Sequence, residues 1–600
     1  MMKQFFLLCM IASLALSAEA QTRQDTTIIA ADDVVLDAFY IYPSTPAPPG
    51  GYPAVLLVHG FGGSKNNNAS LARGFNDAGY VATAYSVRGQ GASGGMFDFF
   101  TSENLLSDLQ TMINFTKALP DVRADRVGVM GGSQGGIHAW NAAAYDMGVQ
   151  AVVSVVANGR FRENWLEDNA LNWTFAAATL SSSVNFDPAV LDSITRARES
   201  GDFTYMRSYL ENASTKSRES GVTTPVAIFV SYYDGFFDPS AALRQFANVA
   251  GPKRIVLYPA GHSMPSDPAQ ATFVNDVVAR WMDYWLKGDE SLASVASPDS
   301  AVVMFDAGNG EMHVYAEDEP EYWLMSALPL PEEVEELPLY FTDEGLRVRP
   351  QVTRSQRVIT YVNLIGSQAQ LFSSEPLPKD MTISAVTGSV RLQLSGTGSQ
   401  LQTNVLLFDV DPTANTRVPI TRGHLQQEGG TGVTATFELN TTVHTVRAGH
   451  VIEAQVHGGM ALLPNQDRDF GNYVMGPVDN SVNSISFGGD TESAITLRVL
   501  GDTPVGVRED SQPLSMDLAQ NYPNPFTPST TLPFSLAQAG YCRLSVYDTR
   551  GREVAVLHDG DLAGGRYTAH FLSGNLPAGM YIAVLRGEEQ TIRRSMLLVR

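Results

Sequence analysis

Val127-Gly128-Val129-Met130 is an apolar run that passes into Gly131-Gly132-Ser133-Gln134-Gly135 and then into the helix-patterned stretch from Ile137 to Tyr145. A strand, a sharp turn and a helix in that order commit this part of the chain to a sheet with a helix packed on it, and push the Ser133 hydroxyl out of the turn. The glycines fit because bulk on either side of the turn would meet the strand or the helix. With 52 glycines in 600 residues a bare G-x-S-x-G arises by chance, so its meaning rests on the surrounding chain.

From Val34 to about Lys287 short apolar runs alternate with helix-length segments, the pattern of a mostly parallel sheet covered by helices on both faces. Strands are expected at Val34–Tyr42, Ala54–Val58, Tyr80–Ser86, Val127–Met130, Ala151–Val156, Val226–Ser231 and Arg254–Tyr258. Reactive groups in such sheets collect at the carboxyl ends of strands. Ser133 follows one strand, Asp234 follows the next but one, and His262 follows the last. A serine hydroxyl is a poor nucleophile at neutral pH. It needs an imidazole to take its proton and a carboxylate to fix the imidazole's tautomer and stabilise its cation, so Ser133, His262 and Asp234 are the candidate catalytic residues. Asp238 competes for the acid role, but Asp238-Pro239-Ser240 reads as a helix N-terminus and Asp234 is preferred. The loop His59-Gly60-Phe61-Gly62-Gly63 follows another strand, and its Phe61 N–H is expected to form an oxyanion hole with the N–H of Gln134. His59 is expected to brace that loop, and His138 to pack or face solvent.

Length requires two to four domains. Lys3, the apolar stretch Phe5–Leu16 and Ala18-Glu19-Ala20 read as an export signal of about 20 residues, leaving Gln21 first and removing Cys9. Only Cys542 then remains, so no intrachain disulfide forms; Cys542 fits a buried strand better than a reactive site. No later apolar run is long enough to span a bilayer, and a net charge of −23 disfavours nucleic acid and anionic lipid as partners. The expected partner is a small-molecule or peptide substrate, and the chemistry needs no cofactor and no metal.

Further motifs accompany these residues: Val87-Arg88-Gly89-Gln90-Gly91-Ala92-Ser93-Gly94-Gly95, Tyr232-Tyr233-Asp234-Gly235 at the acid, and Arg280-Trp281-Met282-Asp283-Tyr284-Trp285-Leu286-Lys287-Gly288. Together with the serine turn they resemble the X-prolyl dipeptidyl peptidase and cocaine esterase family of serine hydrolases, over about residues 25–500. The resemblance implies an α/β-hydrolase with a helical cap insert, followed by a jelly-roll β-sandwich whose signature is similar to Gln370–Leu377, Val390–Leu394 and Leu406–Val410. It implies an Xaa-Pro dipeptidyl peptidase first and a carboxylesterase or acylase second. A surface-binding protein that keeps the scaffold without the chemistry is the rival from another class. Family esterases commonly carry a tyrosine in the oxyanion loop; Phe61 stands in this loop, so a backbone donor must serve.

The insert at 158–221 is long for a connection and would lie over Ser133 as a cap. It is expected to expose aromatics and acids, including Phe161, Trp165, Glu167, Asp168 and Trp173; Trp165, Glu167 and Asp168 are candidate substrate contacts. Its carboxylates either anchor a substrate's α-amino group or form a solvated helix face. After Gly288 short alternating runs, including Val352–Val362, Thr382–Val386, Val433–Leu439 and Ala494–Val499, suggest two packed sheets, with Leu328–Pro338 as a connector. This domain is read as a brace and one wall of the cleft, with a carbohydrate-binding module as the alternative. The last unit, with Asn521–Phe526, Leu544–Arg552 and Pro577–Tyr581, reads as a small β-sandwich and resembles the C-terminal sorting domain of type IX secretion. That resemblance implies the secretion machinery as a partner and a secreted or surface-attached protein. The expected divisions are a signal at 1–20, the catalytic domain at 21–290, the jelly roll at 291–505 and the sorting domain at 506–600.

Overall fold

A computed structural model of the chain describes residues 23–599, leaving out 167, 169, 201, 319–333, 351–354, 361–368, 385–387, 397–399, 458–481, 490–491, 501–515, 522–523, 537–539, 563–564, 575 and 588–589. The chain divides into two compact units, Met1–Pro504 and Val505–Arg600.

In the first unit a ten-stranded sheet is built from β1 (Gln24–Ile29), β2 (Val35–Ile41), β3 (Tyr52–Val58), β4 (Val81–Tyr85), β5 (Val122–Gly132), β6 (Ala151–Val155), β7 (Val226–Ser231), β8 (Lys253–Tyr258), β9 (Val302–Phe305) and β10 (Met312–Tyr315). Their order is β1-β2-β4-β3-β5-β6-β7-β8-β9-β10. The pairings from β4 to β9 are all parallel, while β1, β2 and β10 run antiparallel at the edges. Every residue of β3, β4, β6, β7 and β8 is buried, as central strands covered on both faces must be.

All seven expected strands are present, and β1, β9 and β10 are additional. The expected domain boundary at residue 290 is corrected, because β9 pairs with β8 through Ile255–Leu257 and so extends the same sheet.

The covering helices are α1 (Ala69–Asp77), α2 (Glu103–Ala118), α3 (Gln134–Ala144), four cap helices α4 (Phe161–Trp165), α5 (Trp173–Ser181), α6 (Pro188–Ser200) and α7 (Thr204–Ala213), then α8 (Pro239–Asn248) and α9 (Pro268–Met282). Helix α2 starts where the Ser102 hydroxyl accepts the Leu105 N–H, and it buries Leu105, Leu109, Met112 and Ile113 along one stripe. Helix α3 is buried at all eleven positions, held between sheet and cap. One core face gathers α2, α3, α8 and the cap; the other gathers α1 and α9 around Phe75, Val274 and Trp281.

The rest of this unit is a β-sandwich. One sheet runs in the order Gly345–Arg347, Val334–Thr342, Ala494–Leu500, Ser389–Gly396, Val482–Phe487, Ser355–Thr360. The other runs Gln370–Ser373, Val451–His457, Gln400–Asp411, Thr416–Glu428. Phe372 of the second sheet meets Phe341 of the first edge to face at 4.7 Å, which places the core between them. The expected connector at 328–338 is corrected in part: Val334 to Pro338 already belong to a strand, while 328–333 lie outside the described residues.

The second unit has sheets of three and four antiparallel strands around Leu532, Leu544, Val546 and Leu585, a small β-sandwich as expected. Cys542 is buried in it.

Candidate active site

Ser133 stands between β5 and α3 with φ 56° and ψ −125°, a strained conformation for a residue with a side chain. Glycine is obligatory beside it. A Cβ on Gly135 would lie 2.0 Å from the Val58 carbonyl oxygen, and one on Gly131 would lie 2.4 Å from the Gly135 carbonyl carbon. Close packing of strand, turn and helix is what aims the hydroxyl outward.

His262 follows β8, and its Nε2 is 2.8 Å from Ser133 Oγ. Its Nδ1 is 2.8 Å from Oδ2 and 3.0 Å from Oδ1 of Asp234, which follows β7 and is fully buried. Asp234 Oδ1 also accepts the N–H groups of Phe236 (2.7 Å) and Phe237 (3.2 Å), so the carboxylate is tied to its own loop before it meets the imidazole. Phe236 and Phe237 flank the His262 ring at 4.6 and 5.8 Å between centroids. The His262 side chain keeps 23 % of its surface exposed, enough for a substrate to reach it. With Asp234 on Nδ1, the proton sits there and Nε2 accepts from the serine. Asp238 is not part of this chain of bonds. It caps α8 by accepting the Ser240 and Ala241 N–H groups and pairs with Arg244 at 3.2 Å.

The His59 loop is built with equal care. His59 Nε2 accepts the Val87 N–H at 2.9 Å, so the ring proton must lie on Nδ1, which donates to the Gly60 carbonyl at 2.7 Å. Gly60 C=O and Phe61 N–H share one peptide plane, so this bond sets the direction of the Phe61 N–H. Burial pushes the His59 pKa down to about 4, which keeps it neutral. Gln90 adds a second tie: its Oε1 accepts the Gly62 N–H at 2.8 Å and its Nε2 donates to Gln134 Oε1 at 2.8 Å. Arg88 of the same motif is pinned by Asp108 and Asp32. His138 is fully buried in α3, where burial lowers its pKa to about 3.

Beside Ser133, Phe61 and Gln134 opens a cavity of about 350 Å³. Its walls are Phe97, Phe99, Phe100, Trp165, Phe175 and Phe186, with Phe236 and Phe237 at His262. Among the described residues no carboxylate lines it. Trp165 stacks on Phe175 at 4.2 Å, and Phe99 is held at φ 114°, a region that favours glycine. The loop before Phe97 is stitched to the cap: Phe97 N–H donates to Asn185 C=O at 2.7 Å and Asp187 N–H to Phe97 C=O at 2.9 Å.

The expectation of exposed cap aromatics is therefore corrected. Phe161 and Trp165 are buried because the cap helices turn their rings inward onto Phe99 and Phe100. Asp168 does not reach Ser133's cavity. It lines a separate polar cleft of about 540 Å³ with Glu163, Arg244 and Glu438, between cap and sandwich. Glu167 and the Trp173 side chain lie outside the described residues.

A hydroxyl, an imidazole and a buried carboxylate joined in that order at the strand ends of an α/β-hydrolase sheet are the equipment of acyl transfer, and the chain is a serine hydrolase. Residues 32–264 match the family model of X-Pro dipeptidyl-peptidase (S15 family), a span that ends just past His262. The fold is shared with a CocE/NonD family hydrolase from Staphylococcus aureus (14% identity, 80% of this chain and 94% of that one, TM-score 0.60). It is shared with an aminopeptidase from a marine sediment Thaumarchaeota archaeon (15% identity, 80% and 97%, TM-score 0.59) and with an α-amino acid ester hydrolase (15% identity, 81% and 98%, TM-score 0.61). An uncharacterised 31.7 kDa protein of Escherichia coli is 32% identical over 107 residues, 18% of this chain and 37% of that protein's length. The chain thus matches little more than a third of that curated relative.

Of the residues expected from the sequence, Ser133, His262 and Asp234 are joined by hydrogen bonds, and Phe61, Gln134 and Trp165 line the same cavity. The sequence did not single out Gln90, although its R-G-Q-G motif was visible, nor the aromatic walls at Phe97 to Phe100 and Phe186. Clustered phenylalanines in Met96-Phe97-Asp98-Phe99-Phe100 were the available signal.

Proposed function

We propose that Ser133 attacks the carbonyl of an ester carrying an apolar or aromatic acyl group, that His262 takes its proton and returns it to the leaving alcohol, and that water then releases the acyl-enzyme. Asp234 holds the imidazole, and the Phe61 and Gln134 N–H groups receive the oxyanion. The single observation that carries the choice of substrate is the cavity beside Ser133: aromatic rings surround it, it has room for a ring-sized acyl group, and no described carboxylate stands in it to meet an α-ammonium. Peptidases and ester hydrolases both occur among proteins of this fold, so the fold leaves the choice open and the aromatic lining of the cavity is what supports the ester reading.

The test gives purified protein and Ser133→Ala a fluorophosphonate label, then p-nitrophenyl benzoate, phenylacetate and acetate beside Ala-Pro-p-nitroanilide. Labelling of wild type alone, with kcat/KM for the aromatic esters at least tenfold above the acetate and the anilide, is the expected result. Preferential turnover of Ala-Pro-p-nitroanilide would return the protein to the dipeptidyl peptidase reading.

We also read residues 1–20 as an export signal and 506–600 as a type IX sorting domain. What supports the second reading is that Val505–Arg600 forms a compact unit with a core of its own. Cell-surface proteolysis of the native host, compared with a chain ending at 504, tests it.

A further inference from the structure

Asp234, Gly235 and Phe236 lie in the loop after β7, and each of their carbonyls is held from outside that loop. Trp165 Nε1 of the cap donates to Phe236 C=O at 2.9 Å, and Asn172 Nδ2 of the cap donates to Gly235 C=O at 2.9 Å. The Asp234 carbonyl, however, is held from the β-sandwich: Arg422 Nη2 donates to it at 2.7 Å. Arg422 lies on the strand Thr416–Glu428 and is 4 % exposed. Three residues earlier on that strand, Pro419 C=O accepts the Tyr233 hydroxyl at 2.8 Å, so neighbouring residues of the acid loop are gripped from one strand. The strand is fixed in turn. Arg422 C=O accepts the Asn440 N–H at 2.7 Å, and Thr441 N–H donates to Ser240 Oγ of α8 at 2.8 Å.

We infer that Arg422 is a positioning residue for Asp234, so that the sandwich acts directly on the His262–Asp234 pair rather than only walling the cleft. This rests on the reading of Ser133, His262 and Asp234 as the triad. A buried guanidinium on a carbonyl makes a charge-assisted bond of defined direction. Gly235 follows Asp234 and leaves the backbone soft at that point, so rotation about the Asp234–Gly235 peptide would redirect the chain that carries the Phe236 and Phe237 N–H groups, which hold the carboxylate against Nδ1. Arg422 opposes that rotation. Its loss therefore weakens the chemical step and leaves the acyl cavity, which it does not line, intact.

The test measures kcat and KM on the best aryl ester for the full chain, Arg422→Ala, Arg422→Lys and Arg417→Ala, with and without millimolar guanidinium. Arg417 is on the same strand and pairs with Glu453 rather than with a residue of the acid loop. Arg422→Ala is expected to lose roughly 30- to 100-fold in kcat with KM within threefold, and guanidinium to restore part of it. Arg422→Lys should lose about 10-fold, and it carries the test if the alanine variant does not fold. Arg417→Ala should stay within twofold of wild type. A folded Arg422 variant with wild-type kcat, a rise in KM alone, or an equal loss in Arg417→Ala overturns the inference. A wild type that neither labels nor turns over overturns the triad reading instead.

Discussion

Ser133 and Asp234 serve one chain of hydrogen bonds but are held in opposite ways. The serine is positioned by its own strand, two glycines with no room for a Cβ and the first turn of α3, all packed on the central sheet at Val58 and tied by the Ser133 N–H to the Val155 carbonyl at 2.9 Å. The acid is positioned by its own Phe236 and Phe237 N–H groups, by the cap through Asn172 and Trp165, and by the sandwich through Arg422. The proposed nucleophile therefore depends on its turn and the central sheet alone, whereas the proposed acid depends on its loop, the cap and the sandwich together.

The largest break in the local half is Ser133→Ala, expected to lower kcat about 10⁶-fold without changing the melting temperature. Asp234→Asn keeps the side-chain shape but favours the wrong imidazole tautomer. A loss of about 10⁴-fold in kcat is expected, with labelling by the phosphonate slowed in parallel. Gly135→Ala sharpens the contrast from the other direction. Its methyl group would sit 2.0 Å from a backbone oxygen, so strand or helix must move, costing roughly 3 kcal/mol of stability in urea unfolding along with most of the activity. His59→Ala removes the donor to Gly60 and leaves the Val87 N–H unpaired. About 10-fold in kcat and about 2 kcal/mol of stability are the expected losses, with Asp234 still bound to His262.

The smallest effect is on pH. His59 and His457 have their pKa values lowered to about 4, and His138 and His424 to about 3, in each case by burial. An unfolded histidine titrates near 6.5, so between that value and the folded ones the unfolded chain binds more protons than the folded chain. The neutral histidines' stability is therefore fully present above about pH 6.5 and is lost as the pH falls toward 4. Urea midpoints at pH 7.5 and 5 check this: a lower midpoint at pH 5 is expected, and His138→Phe should reduce the difference.

What could be read from the chain follows the same division. Ser133 and its turn are encoded within nine consecutive residues, and His262 and Asp234 each follow an apolar run, so strand ends located all three. Arg422 could not be found that way, because its partner lies 188 residues earlier and no spacing relates them. The cap aromatics were misjudged for a different reason: α4 is only five residues long, too short for a helical period to reveal which side faces inward. Val302–Phe305 was equally ambiguous. A short apolar run says that a strand is buried but not which sheet accepts it, and this one joined β8 rather than the sandwich.

That pairing changes where the protein can be cut. A shortened enzyme ending at residue 290 would strip β9 from the open side of β8 and expose the hydrogen-bonding groups of Ile255–Leu257 to aggregation. Keeping residues up to 315 repairs the sheet but leaves Asp306, whose carboxylate takes the Thr445 N–H at 2.8 Å and hydroxyl at 2.5 Å, without its partner in the sandwich. Hydrolase and sandwich are therefore poor candidates for exchange as separate cassettes, and a chimera that swaps substrate preference must carry the junction from 302 to 315 together with the segment from 440 to 446, which ends in the strand His444–Val446.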